Sequence, residues 1–298
     1  MRHKPFIALD WGTTSFRAYL VGADGAVVDQ FAAAEGILAV KDSDFEAVLE
    51  SHIGGWDKVL PVVAAGMITS RQGWVELPYA DCPAGPADLA KHIYVLKAKS
   101  GRTIHFLTGL HLVGGSLEHD VMRSEETQVF GSLDVGASHF VTPGTHSKWI
   151  DVVDGRIVNF ATYITGEMFS VLRNHSILGR LMTSDADNET AFIKGVDKAF
   201  ADPAGFLHSL FSVRSLGLFN EVPTDHLASY LSGIVIGTEV AHATLSNDRT
   251  AKYVVLASAG IGGRYLRALK HVGLDAIMGD PLAVIKGEAA VAHMAGII

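Results

Sequence analysis

A glycine- and hydroxyl-rich turn separates two apolar strands close to the N-terminus. In IALDWGTTSFRAYLV (7–21), Asp10 ends the first strand and Arg17 alternates outward from the second. Between them lie one glycine and three hydroxyl side chains, namely Gly12, Thr13, Thr14 and Ser15. Free N–H groups in such turns bind phosphate oxygens, and a neighbouring carboxylate holds Mg²⁺ directly or through water. The turn predicts a phosphate site, with a plain polar hairpin turn as the alternative.

A second loop of similar composition follows a later strand. The stretch TPGTHSKW (142–149) again offers a glycine, hydroxyls and nearby basic side chains, namely Gly144, Thr145, His146, Ser147 and Lys148. Two such loops facing each other would clamp the β- and γ-phosphates of ATP. A polar turn is the alternative for either loop alone, and it is less favoured when both loops occupy matched positions of a repeated pattern.

The elements that position these loops form two blocks of the same order, strand-strand-strand-helix-strand-helix-strand. The first block has strands at 5–10, 15–21, 26–33, 60–65 and 103–107, with helices at 43–53 and 86–99. The second has strands at 138–142, 147–153, 156–163, 252–257 and 274–278, with helices at 224–245, 262–271 and 281–295. A largely helical insertion spans 164–222. We predict an α/β protein of two duplicated βββαβαβ units, each a mixed sheet with helices on its faces.

These two units predict domains at 1–130 and 131–298, with the phosphate loops facing each other across an inter-domain cleft. The 298 residues are 48% hydrophobic and 19% charged, which suits a globular protein. A net charge of −8 disfavours nucleic acid and anionic membranes as partners. The single cysteine, Cys82, allows no intrachain disulfide and fits a reducing compartment. We therefore expect a cytoplasmic protein.

The order of these features resembles the actin/hexokinase superfamily of ATP-dependent phosphotransferases, whose fold is ribonuclease H-like. DWGTTSFRAYLV is similar to the first phosphate loop of glycerol kinase and its sugar-kinase relatives, which read Asp-x-Gly-Thr-Thr-Ser-x-Arg-Ala. VTPGTHSKW stands where those proteins have their second phosphate loop. YVVLASAGIGGRYLRAL (253–269) resembles their adenosine motif, in which Gly260, Gly262 and Gly263 would let the backbone pass close to adenine.

Longer phrases are similar to one family in particular, the 2-keto-3-deoxygalactonate kinases. They are AEGILAV, GMITSRQGWVELPY, DVMRSEETQ, PGTHSKWI, TGEMFSVLRNHSILGRLM and YLSGIVIGTEV. The chain departs from that family at Thr69 and Ser124, where glycine is expected. The resemblance implies ATP- and Mg²⁺-dependent phosphorylation of 2-dehydro-3-deoxy-D-galactonate at its C6 hydroxyl, in galactonate catabolism. A kinase of a related acid such as 2-keto-3-deoxygluconate, or a phosphatase or ATPase on the same fold, is the alternative.

Phosphoryl transfer requires a carboxylate for the metal and a base for the hydroxyl proton. We expect Asp10 to hold Mg²⁺, directly or through water, and Arg17 to reach phosphate or pair with Asp10. Hexokinases carry their catalytic aspartate just before the second phosphate loop, where this chain has Glu126, with Glu125 adjacent. Consecutive helical residues point about 100° apart, so only one of the two carboxylates reaches the hydroxyl. Glu126 is the expected base, and Glu125 and His146 are the alternatives.

The substrate carboxylate requires a guanidinium or several N–H donors. Arg71 and Gln72 follow an apolar strand, and Arg123 is the other candidate. Trp74 would form a wall against the sugar carbons, or else lie in the core. The full set of expected substrate contacts is Glu35, Gly36, Met67, Ser70, Arg71, Gln72, Trp74 and Arg123. We also expect a homodimer.

Overall fold

The computed structural model describes residues 4–115, 117–245 and 251–298. The strands are β1 (Phe6–Trp11), β2 (Phe16–Val21), β3 (Val27–Ala33), β4 (Val62–Ala65), β5 (Ala80–Asp81), β6 (Tyr94–Lys97), β7 (Thr103–Phe106), β8 (Leu110–Val113), β9 (His119–Met122), β10 (His139–Thr142), β11 (Ser147–Val153), β12 (Arg156–Tyr163), β13 (Lys252–Val255) and β14 (Asp275–Met278). The helices are α1 (Phe45–Ile53), α2 (Pro86–Leu89), α3 (Glu125–Phe130), α4 (Thr165–His175), α5 (Glu189–Ala201), α6 (Phe206–Leu218), α7 (Leu227–Ala243), α8 (Ala259–His271) and α9 (Ala283–Met294). No helix in these ranges is both long enough and apolar enough to cross a membrane.

A six-stranded mixed sheet has the order β3-β2-β1-β4-β7-β6. Strand β1 is antiparallel to β2 and parallel to β4, and β4 is parallel to β7. Every residue of β1 is buried, which is why its sequence is an almost unbroken apolar run. Asp10 interrupts that run one residue before β1 ends, so its carboxylate stands at the strand's carboxyl edge.

A five-stranded sheet has the order β12-β11-β10-β13-β14, with β10, β13 and β14 parallel. Helices α5, α7 and α8 contribute to its apolar core, which includes Phe192, Val240 and Tyr265. Helix α7 is buried along most of its length, as its apolar composition predicts. The predicted insertion is helical, since α4, α5 and α6 lie within it.

The chain divides into two compact units. The first comprises Met1–Gly136, Asp151–Phe160 and Asp280–Ile298, and the second comprises Ala137–Ile150 and Ala161–Gly279. In the first unit, the buried side chains of β1, β4 and β7 pack against Phe45, Leu49 and Ile53 of α1. Helix α1 is capped by Asp44, whose carboxylate accepts a hydrogen bond from Ala47 N at 3.1 Å.

The predicted helix 86–99 is wrong beyond its first turn. Helix α2 ends at Leu89, a short 3₁₀ turn follows, and β6 then pairs antiparallel with β7. The tertiary contact decides the outcome, because a strand of sequence YVLK can add its backbone hydrogen bonds to the open edge of β7. The small sheet β5-β8-β9 was also absent from the prediction, since its short strands carry little periodicity.

Candidate active site

The first loop, Gly12 to Ser15, is a tight turn that a later segment holds in place. Gly12 N donates to Ser15 O at 2.9 Å, and the side chains of Thr13 and Thr14 are exposed. Gly36 packs so closely that a Cβ there would lie 2.2 Å from backbone atoms of Thr13 and Thr14. Because only glycine permits this approach, the segment after β3 fixes the shape of the loop.

Asp10 lies beside this loop and is only 9% exposed. Arg17 Nη1 donates to its Oδ2 at 3.1 Å, and Ser124 Oγ donates to its Oδ1 at 3.2 Å. Burial raises the pKa of Asp10, and the Arg17 charge and the Ser124 hydrogen bond oppose this rise. Of the two expectations for Arg17, the structure places it in the ion pair with Asp10, with its side chain 48% exposed.

The adjacent residues Glu125 and Glu126 begin α3 and accept hydrogen bonds from different backbone N–H groups. Both oxygens of Glu126 accept from Ser124 N, at 3.0 and 2.9 Å, whereas Glu125 Oε2 accepts from Arg123 N at 2.9 Å. Glu126 is 1% exposed, and burial, together with the charge of Glu125, raises its pKa to about 8. Ser124 therefore bonds both Asp10 and Glu126, and it does so with φ at +96°, a backbone region that favours glycine.

Helix α9 supports both carboxylate-bearing elements of the first unit. A Cβ at Gly287 would lie 1.7 Å from Thr127 O, so α9 and α3 are in direct backbone contact. The next residue, Glu288, is fully buried, and its Oε2 accepts from Leu9 N in β1 at 3.1 Å. Burial and the Asp10 charge raise the pKa of Glu288 well above its ordinary value. Sequence reasoning missed Glu288, because 279 positions separate it from Leu9.

The expected substrate residues that follow β4 differ in their exposure to solvent. Arg71 is largely exposed and pairs with Glu76 at 3.2 Å, and Gln72 is exposed. Trp74 is partly buried in the core, where its ring stacks on Phe45 at 6.1 Å between centroids. Met67 packs against the same core. The Ser70 hydroxyl has no hydrogen-bond partner in the part of the chain that the structure describes.

Arg123 is a buried cation, only 8% exposed. Its Nη1 donates to Thr69 Oγ1 at 2.6 Å, its Nη2 donates to Leu77 O at 3.1 Å, and its guanidinium lies 4.2 Å from the ring centre of Tyr79. Thr69, one of the two departures from the family pattern, thus supplies a hydroxyl to the Arg123 guanidinium. Glu35, the remaining candidate, is exposed, and its carboxylate lies 2.7 Å from His52 Nε2.

The second loop has an exposed tip and a buried end. Gly144, Thr145 and His146 are exposed, and His146 Nε2 lies 2.6 Å from Glu167 Oε2. Ser147 and Lys148 are buried. Lys148 Nζ donates to Thr162 Oγ1 at 2.8 Å, and Ser147 Oγ lies 2.7 Å from the hydroxyl of Tyr265. The loop's exposed backbone, and not the Ser147 hydroxyl, is what this arrangement offers to a ligand.

The glycines of the third motif lie within the first five residues of α8, which begins at Ala259 and not at 262 as predicted. Among the described residues, and apart from the backbone of α8 itself, a Cβ at Gly260 or Gly263 would have no neighbouring heavy atom within 4 Å, whereas one at Gly262 would lie 2.7 Å from the Met278 side chain. Gly262 therefore serves packing inside the second unit, and Gly260 and Gly263 leave open space beside the helix.

Comparison with known proteins agrees with the resemblance. The family model described as 2-keto-3-deoxy-galactonokinase matches residues 10–291. The chain is 35% identical over 280 residues to "Probable 2-dehydro-3-deoxygalactonokinase DgoK1" of Rhizobium meliloti (strain 1021), covering 91% of this chain and 90% of that one. It is 32% identical over 292 residues to the 2-dehydro-3-deoxygalactonokinase of Escherichia coli (strain K12), covering 97% of each.

Comparison with solved structures identifies proteins that share the fold of this chain. A crystal structure from Sinorhizobium meliloti that carries the 2-dehydro-3-deoxygalactonokinase name matches with a TM-score of 0.88 and 34% identity, covering 97% of this chain and 98% of that one. The xylulose kinase of Lactobacillus acidophilus matches with a TM-score of 0.53 and 11% identity, covering 99% and 90%. The predicted α/β class with mixed sheets is confirmed, and the fold is that of sugar kinases.

Proposed function

The chain belongs to the 2-keto-3-deoxygalactonokinase family, and we propose that it transfers the γ-phosphoryl group of ATP to the C6 hydroxyl of 2-dehydro-3-deoxy-D-galactonate. The products are the 6-phosphate and ADP, and the reaction belongs to galactonate catabolism. The observation that carries the proposal is the match of residues 10–291 to one family, with relatives of that name covered almost end to end.

The proposal includes the duplicated βββαβαβ architecture, with a sugar-acid domain that carries the first phosphate loop at 1–130 and a nucleotide domain at 131–298, whose last residues, 280–298, belong to the first compact unit. One support is that the two sheets share an order, β3-β2-β1-β4-β7 and β12-β11-β10-β13-β14. Another is that Gly36 follows β3 by three residues and Gly166 follows β12 by three residues. A Cβ on Gly166 would lie 2.3 Å from Gly144 O, so each glycine packs against the phosphate loop of its own unit.

We propose that the exposed turns Gly12–Ser15 and Gly144–His146 bind the phosphates of ATP through their N–H groups, with the hydroxyls of Thr13 and Thr14 adding donors. Thr13 and Thr14 of the first turn and all three residues of the second turn are exposed, and free N–H groups in turns of this kind bind phosphate oxygens. The open space beside Gly260 and Gly263 suits the planar adenine, which needs close approach to a backbone without side chains.

Mg²⁺ is the metal that fits this donor set. In the described part of the chain, no group of three or more His, Cys, Asp or Glu side chains could hold a metal ion. Mg²⁺ typically uses one or two carboxylates together with water and substrate phosphates. Asp10, beside the first loop, would be its protein partner through water, and the ion would offset charge on the transferring phosphoryl group. Arg17 and Ser124 orient the Asp10 carboxylate for that role.

Glu126 is the proposed base. The substrate hydroxyl oxygen bonds to the γ-phosphorus as the bond from phosphorus to the ADP oxygen breaks, and Glu126 takes the hydroxyl proton. A pKa raised to about 8 by burial suits this task, because a general base is most effective near the working pH. Glu125 and His146 are the alternatives. Glu125 is the less buried glutamate, and His146 is exposed in the second loop.

Arg123 is the stronger candidate for the substrate carboxylate, with Arg71 and Gln72 as the exposed alternatives. The Arg123 guanidinium is held by Thr69 Oγ1, Leu77 O and the Tyr79 ring, which are uncharged, and its charge also acts on the Glu126 carboxylate. A fixed guanidinium of this kind favours an anionic ligand group. The remaining proposed contacts to the sugar acid are Glu35, Gly36, Met67, Ser70 and Trp74.

The test is a coupled ADP-release assay with Mg-ATP and four acceptors: 2-keto-3-deoxygalactonate, 2-keto-3-deoxygluconate, glycerol and a simple hexose. We expect turnover that depends on the galactonate-derived acid and exceeds the no-acceptor blank by orders of magnitude. Preference for the gluconate-derived acid would reassign the substrate, since the two acids differ only at C4. ADP release that no acceptor increases would overturn the kinase proposal in favour of a hydrolase.

We further propose that the enzyme works in the cytoplasm as a homodimer. Helix α6 supports the dimer, because Leu207, Phe211, Leu218 and the following Phe219 are 55–82% exposed, and clustered exposed apolar side chains favour association. Light scattering on the eluting protein should give twice the chain mass, and Phe211→Glu should give the mass of one chain. A wild-type protein that elutes at the mass of one chain would refute the dimer.

A further inference from the structure

Glu239 is a buried carboxylate in the otherwise apolar helix α7, and it is 3% exposed. Trp149 Nε1 donates to its Oε1 at 2.6 Å, and the Tyr265 hydroxyl donates to its Oε2 at 2.5 Å. The Thr165 side chain is a further hydrogen-bond donor. Burial raises the pKa of Glu239, and these donors oppose the rise. Strand β11 and helices α4 and α8 therefore meet on one side chain.

The hydrogen bonds run outward from Glu239 to the second loop. The Tyr265 hydroxyl donates to Glu239 and lies 2.7 Å from Ser147 Oγ, and the Ser147 side chain also bonds Glu239 itself. Ser147 is completely buried, and it is the first residue of β11, directly after the exposed tip of the loop. The chain Glu239–Tyr265–Ser147 thus fixes the C-terminal side of the loop.

A second connection fixes the tip of the same loop. Thr165, which bonds Glu239, begins α4, and the next residue, Gly166, packs directly on Gly144 O. Glu167 N then donates to Thr145 O at 3.0 Å. Both sides of the loop are therefore tied to one carboxylate that lies behind it and does not reach its exposed surface.

We propose that Glu239 is a positioning residue that holds the loop 144–148 in its nucleotide-binding shape. This inference rests on the proposed function, in which that loop binds the phosphates of ATP. Buried hydrogen-bond networks of this kind fix a single backbone geometry when every member is satisfied. Tyr265 also belongs to α8, so the same carboxylate links the phosphate loop to the helix of the proposed adenine site.

The test compares Tyr265→Phe and Glu239→Gln with the control Tyr230→Phe. Tyr230 is another buried tyrosine of the second unit, 1% exposed, and its hydroxyl bonds Ser212 at 2.8 Å, apart from the network of Glu239. Titration calorimetry with ADP measures nucleotide affinity directly, and steady-state assays give separate KM values for ATP and the sugar acid. A melting curve reports the stability lost by each variant.

We expect Tyr265→Phe and Glu239→Gln to bind ADP about tenfold more weakly, the effect of losing roughly one buried hydrogen bond. The KM for ATP should rise by a similar factor and the KM for the sugar acid should stay unchanged. Tyr230→Phe should lose comparable stability and keep wild-type ADP affinity.

Unchanged ADP affinity in Tyr265→Phe, together with a melting shift like that of Tyr230→Phe, would make the network merely structural and overturn the proposal. Tyr265→Phe decides the matter even where Glu239→Gln does not fold, because it removes one hydroxyl and leaves the carboxylate its other donors. A wild-type protein that binds no ADP would instead overturn the proposed function, and this inference with it.

Discussion

Ser124 holds a backbone conformation that glycine adopts more readily, and a pair of substitutions there separates strain from hydrogen bonding. Its φ is +96°, and its hydroxyl donates to Asp10. Ser124→Ala removes the hydroxyl and keeps a Cβ in the strained region, whereas Ser124→Gly removes both. The difference between the two variants therefore excludes the bond to Asp10, which is lost in each, and reports the backbone effects of having a Cβ at this position.

The expected difference in the free energy of unfolding between the two variants follows from two opposing effects. A non-glycine residue in such a region costs about 1–3 kcal/mol. Glycine in its place adds freedom to the unfolded chain, which costs about 0.4–1 kcal/mol. The free energy of unfolding of Ser124→Gly should therefore exceed that of Ser124→Ala by about 1 kcal/mol, which corresponds to a melting temperature about 2–4 °C higher.

Calorimetry on both variants measures this difference, and Ser132 supplies the control. Ser132 is also buried, but its φ is −122°, and its hydroxyl has no hydrogen-bond partner among the described residues. At position 132 the order of stability should be the reverse of that at position 124, with Ser132→Ala more stable than Ser132→Gly. Turnover should fall by the same factor in both Ser124 variants, because both lose the bond to Asp10. An alanine variant at Ser124 as stable as the glycine variant would refute the strain argument.

Three further predictions concern the base and the glycines. Glu126→Gln should lower kcat more than Glu125→Gln, and equal small losses would remove both as base. Because the folded pKa of Glu126 is raised from 4.5 to about 8, the free energy of unfolding of the wild type should fall relative to that of Glu126→Gln as pH rises from about 5 to 9. Urea titrations at each pH measure this difference. Gly36→Ala should raise the KM for ATP and destabilise the fold by about 2 kcal/mol or more, because its Cβ meets backbone at 2.2 Å; a wild-type melting curve and KM would contradict this. Gly263→Ala should stabilise α8 by up to about 1 kcal/mol and yet weaken ATP binding, and unchanged ATP binding would remove Gly263 from the adenine site.

The sequence predicted well where local chemistry decides the structure. The hairpin β1–β2 and the helical insertion at 164–222 follow from local apolar patterns and from the glycine-containing turn between the first two strands. Strand β6 was missed because its local sequence suits a helix about as well as a strand, and the edge of β7 decided between them. Local signals carry no information about such a partner.

The residues behind the site were missed for a related reason. Glu239 and Glu288 are lone acids in apolar helices, and nothing in the neighbouring sequence indicates which backbone or side chain they bond. Their partners come from other elements: Trp149 and Tyr265 for one, Leu9 for the other. Residues that touch a ligand tend to fall in recognisable loops, whereas residues that hold those loops are identified only by the fold.

Gly36 and Gly166 are two glycines whose role in packing can be related to the sequence only through the strands that precede them. Gly36 and Gly166 have ordinary sequence surroundings, yet each follows the third strand of its sheet by three residues and lies against the phosphate loop of its own unit. In both cases the next residue donates its N–H to a loop carbonyl, Ile37 to Gly12 O at 3.0 Å and Glu167 to Thr145 O at 3.0 Å. A loop that binds phosphate through its backbone must keep that backbone fixed, and a glycine that follows the hairpin permits this contact. The equal spacing of these glycines after the third strand of each sheet supports the proposed duplication, and it becomes visible only once the strand bounds are known.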